Sequence, residues 1–249
     1  LAGIVLAALV VQVTIFGGIF IGNVLYFALG ITLLTSVGSA ICGAAADLGT
    51  ETAIRVKPYK TSVAVSTVVI FGTLAMFVYP VLYRNGVFDL DAKAMGIFTG
   101  STVHEVAHVV GAGNAMGKEV SDAAIIVKML RVMMLVPVLL IISYSVMRAA
   151  LQRGDTEGRG RISLPWFAIF FLVVIGFNSF GLLPRGLVDF INVFDTFLLT
   201  MAMTALGAET SIDKFKKAGF KPFLLAFILF IWLVAGGYFM AKYLVPMIG

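Results

Sequence analysis

Long runs without a charged side chain constrain this chain more than any other feature. Leu1 to Gly17 and Ser62 to Tyr83 contain no Asp, Glu, Lys or Arg. Such runs approach or match the roughly 20 residues that a helix needs to cross hydrocarbon. Backbone groups inside a bilayer must pair within the protein, which leaves helices or a closed barrel. Barrel strands alternate in polarity over about ten residues, and these runs do not alternate. The fold class that follows is all-α, a polytopic transmembrane helical bundle. Apolar residues make up 60% of the 249 positions and charged residues 12%, with a mean hydropathy of +1.04. A soluble domain carries about 25% charge, so that class is excluded. The net charge of +5 suits loop Lys and Arg on a cytoplasmic face and implies no nucleic acid. The lone Cys42 excludes an intramolecular disulfide.

Eight apolar segments are expected, running roughly over 1–17, 22–47, 62–83, 94–116, 122–147, 164–183, 188–208 and 222–245. Residues 1–249 form a single transmembrane domain. Within it, 1–147 holds the end of a first repeat and the start of a second. Residues 148–161 (RAALQRGDTEGRGR) are a cytoplasmic loop, and 162–249 complete the second repeat. With one crossing per segment, one face collects ten Lys and Arg, Arg84, Lys93, Arg148 and Lys221 among them, and the other six. The positive-inside bias puts the first set in the cytoplasm. The chain opens on apolar Leu1 with neither an initiator Met nor a basic leader. The expectation is a piece of a longer protein with spans preceding Leu1.

A repeat lies in the connectors. Residues 48–54 read LGTETAI and 206–212 read LGAETSI, each followed by a Lys–Pro step into another span. Five segments separate the copies, so they fall on opposite faces, the pattern of an inverted five-helix repeat. In transporters built this way the site lies near the midplane, where interrupted helices expose backbone groups. Val37–Gly43 (VGSAICG) suits such an interruption, with Ser39, Cys42 and Gly43 as candidate anion contacts; close packing through small residues is the alternative. In the second copy, Thr200–Gly207 has Thr204 as its best polar candidate.

Three further groups carry chemistry. His104, Glu105 and His108 match H-E-x-x-H, in which two His hold zinc and the Glu is a general base. A catalytic zinc takes a third protein ligand. The later intramembrane acids, Asp189 and Asp195, lie in no ligand motif. The rival readings are a hydrogen-bonded core pair, and proton or ion handling by His104 and Glu105. Asn114 follows in the same stretch as a candidate substrate contact. Lys128 and Arg131, three residues apart, share a helix face. They either snorkel to the interface or supply positive charge to an anion pathway. Asp47, Glu51 and Glu209 are expected at helix ends, as caps or facing water.

GSAICGAAA (38–46), GSTVHEVAHVVGAG (100–113), KMLRVMMLVP (128–137), LPWFAIFF (164–171), FNSF (177–180) and DTFLLTMAMTALG (195–207) together resemble the YeiH family. That family comprises bacterial inner-membrane proteins labelled sulfate exporters, and the resemblance covers essentially the whole chain. It implies about ten helices in inverted repeats with two discontinuous helices crossing at the site, as in bile-acid symporters and sodium/proton antiporters. By resemblance the breaks fall at Ser39–Gly43 and Met203–Gly207, with His104, Glu105, Lys128 and Arg131 near the pathway.

The resulting expectation is a secondary transporter of a small anion, sulfate or a sulfur-containing acid. It works by alternating access in the bacterial inner membrane, coupled to a proton or sodium ion, and uses no cofactor. It is not expected to be an enzyme. The alternatives are an intramembrane zinc metalloprotease using His104, Glu105 and His108, an anion channel, and a receptor that binds without transport.

Overall fold

The computed structural model of the chain describes residues 2–152, 166–209 and 220–248. Among the described residues every regular element is helical, and each of the eight apolar segments is found as helix. Helix α1 spans Ala2–Val24, α2 Leu29–Ala40, α3 Ala44–Ile54 and α4 Pro58–Arg84. Helix α5 spans Ala92–Thr102, α6 Val106–Met116, α7 Lys118–Met133 and α8 Leu135–Gln152. Then come α9 at Trp166–Ser179, α10 at Arg185–Glu209 and α11 at Phe220–Ile231. A π-turn over Trp232–Gly236 joins α11 to α12 at Gly237–Ile248.

Local chemistry sets many of these boundaries. Pro58 opens α4, where its missing N–H would have had no partner. The Asp91 carboxylate caps α5 by accepting from the Ala94 N–H at 2.6 Å. Gly117, at φ 123°, makes the tight turn from α6 into α7. Pro137 lacks the N–H that would reach back to Met133, so the helix slips at Met134 and resumes as α8.

Among the described residues, four stretches are long and apolar enough to cross a membrane: Ala2–Val24, Pro58–Arg84, Lys118–Arg148 and Phe220–Ile248. Large apolar side chains stand exposed on them, among them Phe16, Phe20, Phe77 and Ile141, and on α10 Phe190 and Val193. Leaving such a side chain in water forgoes about 1.5–3 kcal/mol. A lipid environment removes that cost.

The core joins α1, α4, α5, α7, α11 and α12. Tyr79 stacks on Phe98 with centroids 4.9 Å apart, and Phe88 packs edge-on against Phe98 at 5.2 Å. Two glycines bring α5 against α7. A Cβ on Gly96 would meet the Val120 carbonyl oxygen at 2.7 Å, and one on Gly100 would collide with that of Ala124. This contact is what lets side chains of α7 reach the end of α5.

The expected break at Met203–Gly207 is corrected: α10 runs as one helix from Arg185 to Glu209. Residues 153–161 of the expected cytoplasmic loop and 210–212 of the second repeat copy lie outside the described residues.

Candidate functional site

Two helices are interrupted inside the molecule. The first break lies between α2 and α3, at Ile41, Cys42 and Gly43. Gly43 sits at φ 70°, ψ −130°, a left-handed conformation that glycine adopts without steric cost. Its missing side chain also matters, since a Cβ there would meet Glu105 Cγ at 2.5 Å. The second break lies between α5 and α6. Val103 (φ −69°, ψ 139°) and Glu105 (φ −112°, ψ 155°) are extended there.

A helix that stops inside a protein leaves its last carbonyls without N–H partners. Here α7 supplies them. Lys128 and Arg131 are fully buried, one turn apart on the face toward both breaks. Lys128 Nζ donates to the carbonyl oxygens of Ile41 at 2.7 Å and Val103 at 2.9 Å, and also to that of His104. Arg131 Nε donates to Ala40 O at 2.8 Å and Nη2 to Ser39 O at 2.9 Å. Its Nη1 donates to Val103 O at 3.0 Å and, at 3.5 Å, reaches Gly100 O. Positive charge at a helix C-terminus is favourable because it opposes the local dipole. One pair of cations therefore closes two half-helices.

Full burial excludes snorkelling. All three ammonium protons of Lys128 are committed to backbone oxygens, and four of the five guanidinium N–H groups of Arg131 point at carbonyls. Their positive charge acts first on the ends of α2 and α5.

The amino end of α3 meets the opposite charge. Glu105 is 7% exposed, and its Oε1 accepts from the Ala44 N–H at the start of α3, at 3.3 Å. Its Oε2 lies 3.7 Å from His108 Nδ1. On the far side of that ring, His108 Nε2 and Thr73 Oγ1 are 3.2 Å apart. Gly72 of α4 makes room, since a Cβ there would meet His108 Nδ1 at 2.5 Å. Cys42 sits in the combined field of Lys128, Arg131, Asp47 and Glu105. Ser39 Oγ, Ser101 Oγ, His104 Nδ1 and His108 Nδ1 are buried with no hydrogen-bond partner among the described residues.

The structure thus gathers Ser39, Cys42, Gly43, His104, Glu105, Lys128 and Arg131. Two expected contacts lie elsewhere. Asn114 is exposed at the far end of α6, where its Oδ1 accepts from the Ser121 hydroxyl at 2.9 Å. Thr204 is exposed on α10 and donates to Thr200 O within its own helix. The expectation that Asp47 faces water is corrected. It is fully buried in the first turn of α3 against Gly38, and neither carboxylate oxygen has a hydrogen-bond partner among the described residues.

The H-E-x-x-H reading loses its geometric basis. That motif needs both His on one face of a continuous helix, whereas His104 precedes α6 in extended chain and His108 lies inside it. Among the described residues no group of three or more His, Cys, Asp and Glu is gathered to hold a metal.

Asp47 and the second break escape a reading of the residues, yet a signal for the break exists. Gly38-Ser39-Ala40-Ile41 recurs 62 positions later as Gly100-Ser101-Thr102-Val103. Each tetrapeptide forms the last turn before an interruption.

The family described as Conserved hypothetical protein 698 matches residues 1–226. A UPF0324 membrane protein of Bacteroides thetaiotaomicron is 63% identical over 248 residues, covering 99% of this chain and 74% of that protein. A UPF0324 membrane protein of Bordetella bronchiseptica is 49% identical over 210 residues, covering 84% of this chain and 65% of that protein. The UPF0324 inner membrane protein YeiH of Salmonella typhi is 46% identical over 241 residues, covering 95% and 68%. The chain therefore spans about two thirds to three quarters of the length of these relatives. No solved structure matches. A model match over most of the chain and high identity to several relatives agree: the chain belongs to the UPF0324, or YeiH, family of membrane proteins.

Proposed function

We propose that this protein is a secondary transporter of a small anion in a bacterial inner membrane, working by alternating access and coupled to a proton or sodium ion. The observation that carries the reading is the meeting of two interrupted helices around buried Lys128, Arg131 and Glu105. Ionisable groups cost several kcal/mol inside a bilayer. A protein that only spanned the membrane would have no use for two breaks and the charges that hold them. Interrupted helices near the midplane are the way transporters present backbone dipoles to an ion.

In this reading Lys128 and Arg131 keep the half-helices apart and give the site its positive field. Ser39, Cys42 and Gly43 lie along the path, and Glu105, His104 and Asp47 handle the coupling ion. Sulfate or a sulfur-containing acid is the proposed substrate class. The inverted repeat suggested by LGTETAI and LGAETSI belongs to this proposal, as does the placement of the Arg-rich 148–161 loop in the cytoplasm.

The test is uptake of labelled sulfate, thiosulfate and taurine by full-length protein in liposomes, with and without proton and sodium gradients. Saturable uptake that follows one gradient, and is lost in Glu105→Gln, supports the reading. Unsaturable, uncoupled flux makes the protein a channel. No uptake of any probe removes the transport assignment.

A further inference from the structure

The Glu105 carboxylate does something unusual for the residue that precedes a helix. Its own α6 receives no side-chain cap from it. Instead it crosses to another helix and accepts from the first N–H of α3. The amino end of an α-helix is a standing anion site, with amides directed outward and a partial positive charge. That end of α3 is filled by an anion tethered to the chain.

A second group points at the same place. The His108 side chain has no exposed surface, and its Nδ1 faces Glu105 Oε2 across 3.7 Å with no hydrogen-bond partner among the described residues. When Thr73 donates to Nε2, Nδ1 carries the ring proton. It is then a buried donor aimed at the carboxylate but too far to bond it. The bond from Ala44 is itself long, at 3.3 Å. An amide and a ring nitrogen thus face a carboxylate that satisfies neither of them well. The Glu105 side chain keeps 9% of its surface exposed.

We infer that the amino end of α3, with His108 Nδ1, is a binding site for a small oxyanion, and that Glu105 occupies it as an intramolecular stand-in which the free anion must displace. The inference rests on the transport reading for its biological sense, and it names the atoms that the anion meets. No covalent step is involved. Glu105 swings away, and the free oxyanion accepts from Ala44 N–H and from His108 Nδ1. Lys128 and Arg131 stay on their carbonyls throughout.

The experiment is a thermal-shift titration of purified full-length protein with sodium formate, acetate and sulfate, on the wild type, Glu105→Ala and Glu105→Gln. Removing the tethered competitor should tighten binding of at least one oxyanion by about ten-fold or more, with saturable stabilisation of Glu105→Ala. Glu105→Gln keeps the shape without the charge and should bind the same anion more tightly than the wild type. It also serves if the alanine variant does not fold. Equal responses in all three proteins, or none in any, overturn the inference. Flux separates it from the transport reading. Tighter binding in the variants with no wild-type uptake keeps the site and removes the transporter. Wild-type uptake with anion affinity indifferent to Glu105 does the reverse.

Discussion

Lys128 and Glu105 hold opposite electrical ends of the first helix break, between α2 and α3. The ammonium donates to Ile41, Val103 and His104 carbonyls, while the carboxylate takes the Ala44 amide at the start of α3. Each sits on a different element, and neither contact is local in sequence.

Removing the ammonium should therefore cost more than an ordinary core truncation. Lys128→Met takes the side-chain donor from the buried Ile41 and His104 carbonyls and leaves Arg131 alone to hold both helix ends. We expect a loss of about 3–5 kcal/mol, measured as a fall in the midpoint of thermal or denaturant unfolding in detergent. Arg148→Ala, an exposed position on α8, should change stability by less than about 0.5 kcal/mol. Equal effects of the two substitutions would dismiss the capping role.

Gly43 and Gly117 allow a controlled comparison. Both lie at positive φ, 70° and 123°. A Cβ on Gly117 meets nothing within 4 Å, whereas one on Gly43 meets Glu105 Cγ at 2.5 Å. Gly117→Ala should show backbone strain alone, about 1–3 kcal/mol. Gly43→Ala should lose more, and should also alter anion binding because Glu105 must move. The check is unfolding and sulfate titration of both variants side by side.

Asp47 predicts a gain. Its carboxyl is fully buried with no hydrogen-bond partner among the described residues, and burying a carboxyl without a partner is costly. Asp47→Asn should raise stability by about 1 kcal/mol while lowering or uncoupling flux. A destabilised variant with full activity would count against any role in the site.

Tyr79 ties α4 to the last turn of α5 through a 3.0 Å bond to the Thr102 hydroxyl. Thr102 in turn donates to Phe98 O at 2.7 Å and so keeps a partner. Tyr79→Phe should cost only about 0.5–1.5 kcal/mol, and Thr204→Ala on the exposed face of α10 less still. Equilibrium unfolding of both variants gives the ranking.

The membrane-helical class and the segment positions were legible because hydrophobic length is a local property. So was the first break: Gly38, Ser39 and Gly43 in an apolar run mark a place where a helix fails. The second break was hidden because VHEVAH reads as ordinary helix, and what stops it is Lys128, two dozen residues away in the chain. The fates of Lys128 and Arg131 were undecidable for a similar reason. Their first-break acceptors, Ser39 to Ile41, lie about 90 residues earlier, and no spacing rule connects them. Asp47 looked like a helix-end residue and is one, but the end is internal. The expected break at Met203–Gly207 rested on resemblance alone: the run 200–206 has no glycine, and the hydroxyls of Thr200 and Thr204 bond back to carbonyls of their own helix, which continues to Glu209.

The slip at Met134, just beyond Arg131, gives α7 a place to bend away from α8. Because both interruptions hang on cations of α7, any tilt at that joint must carry the two sets of carbonyls together. The two breaks thus share one support, the face of α7 that carries both cations.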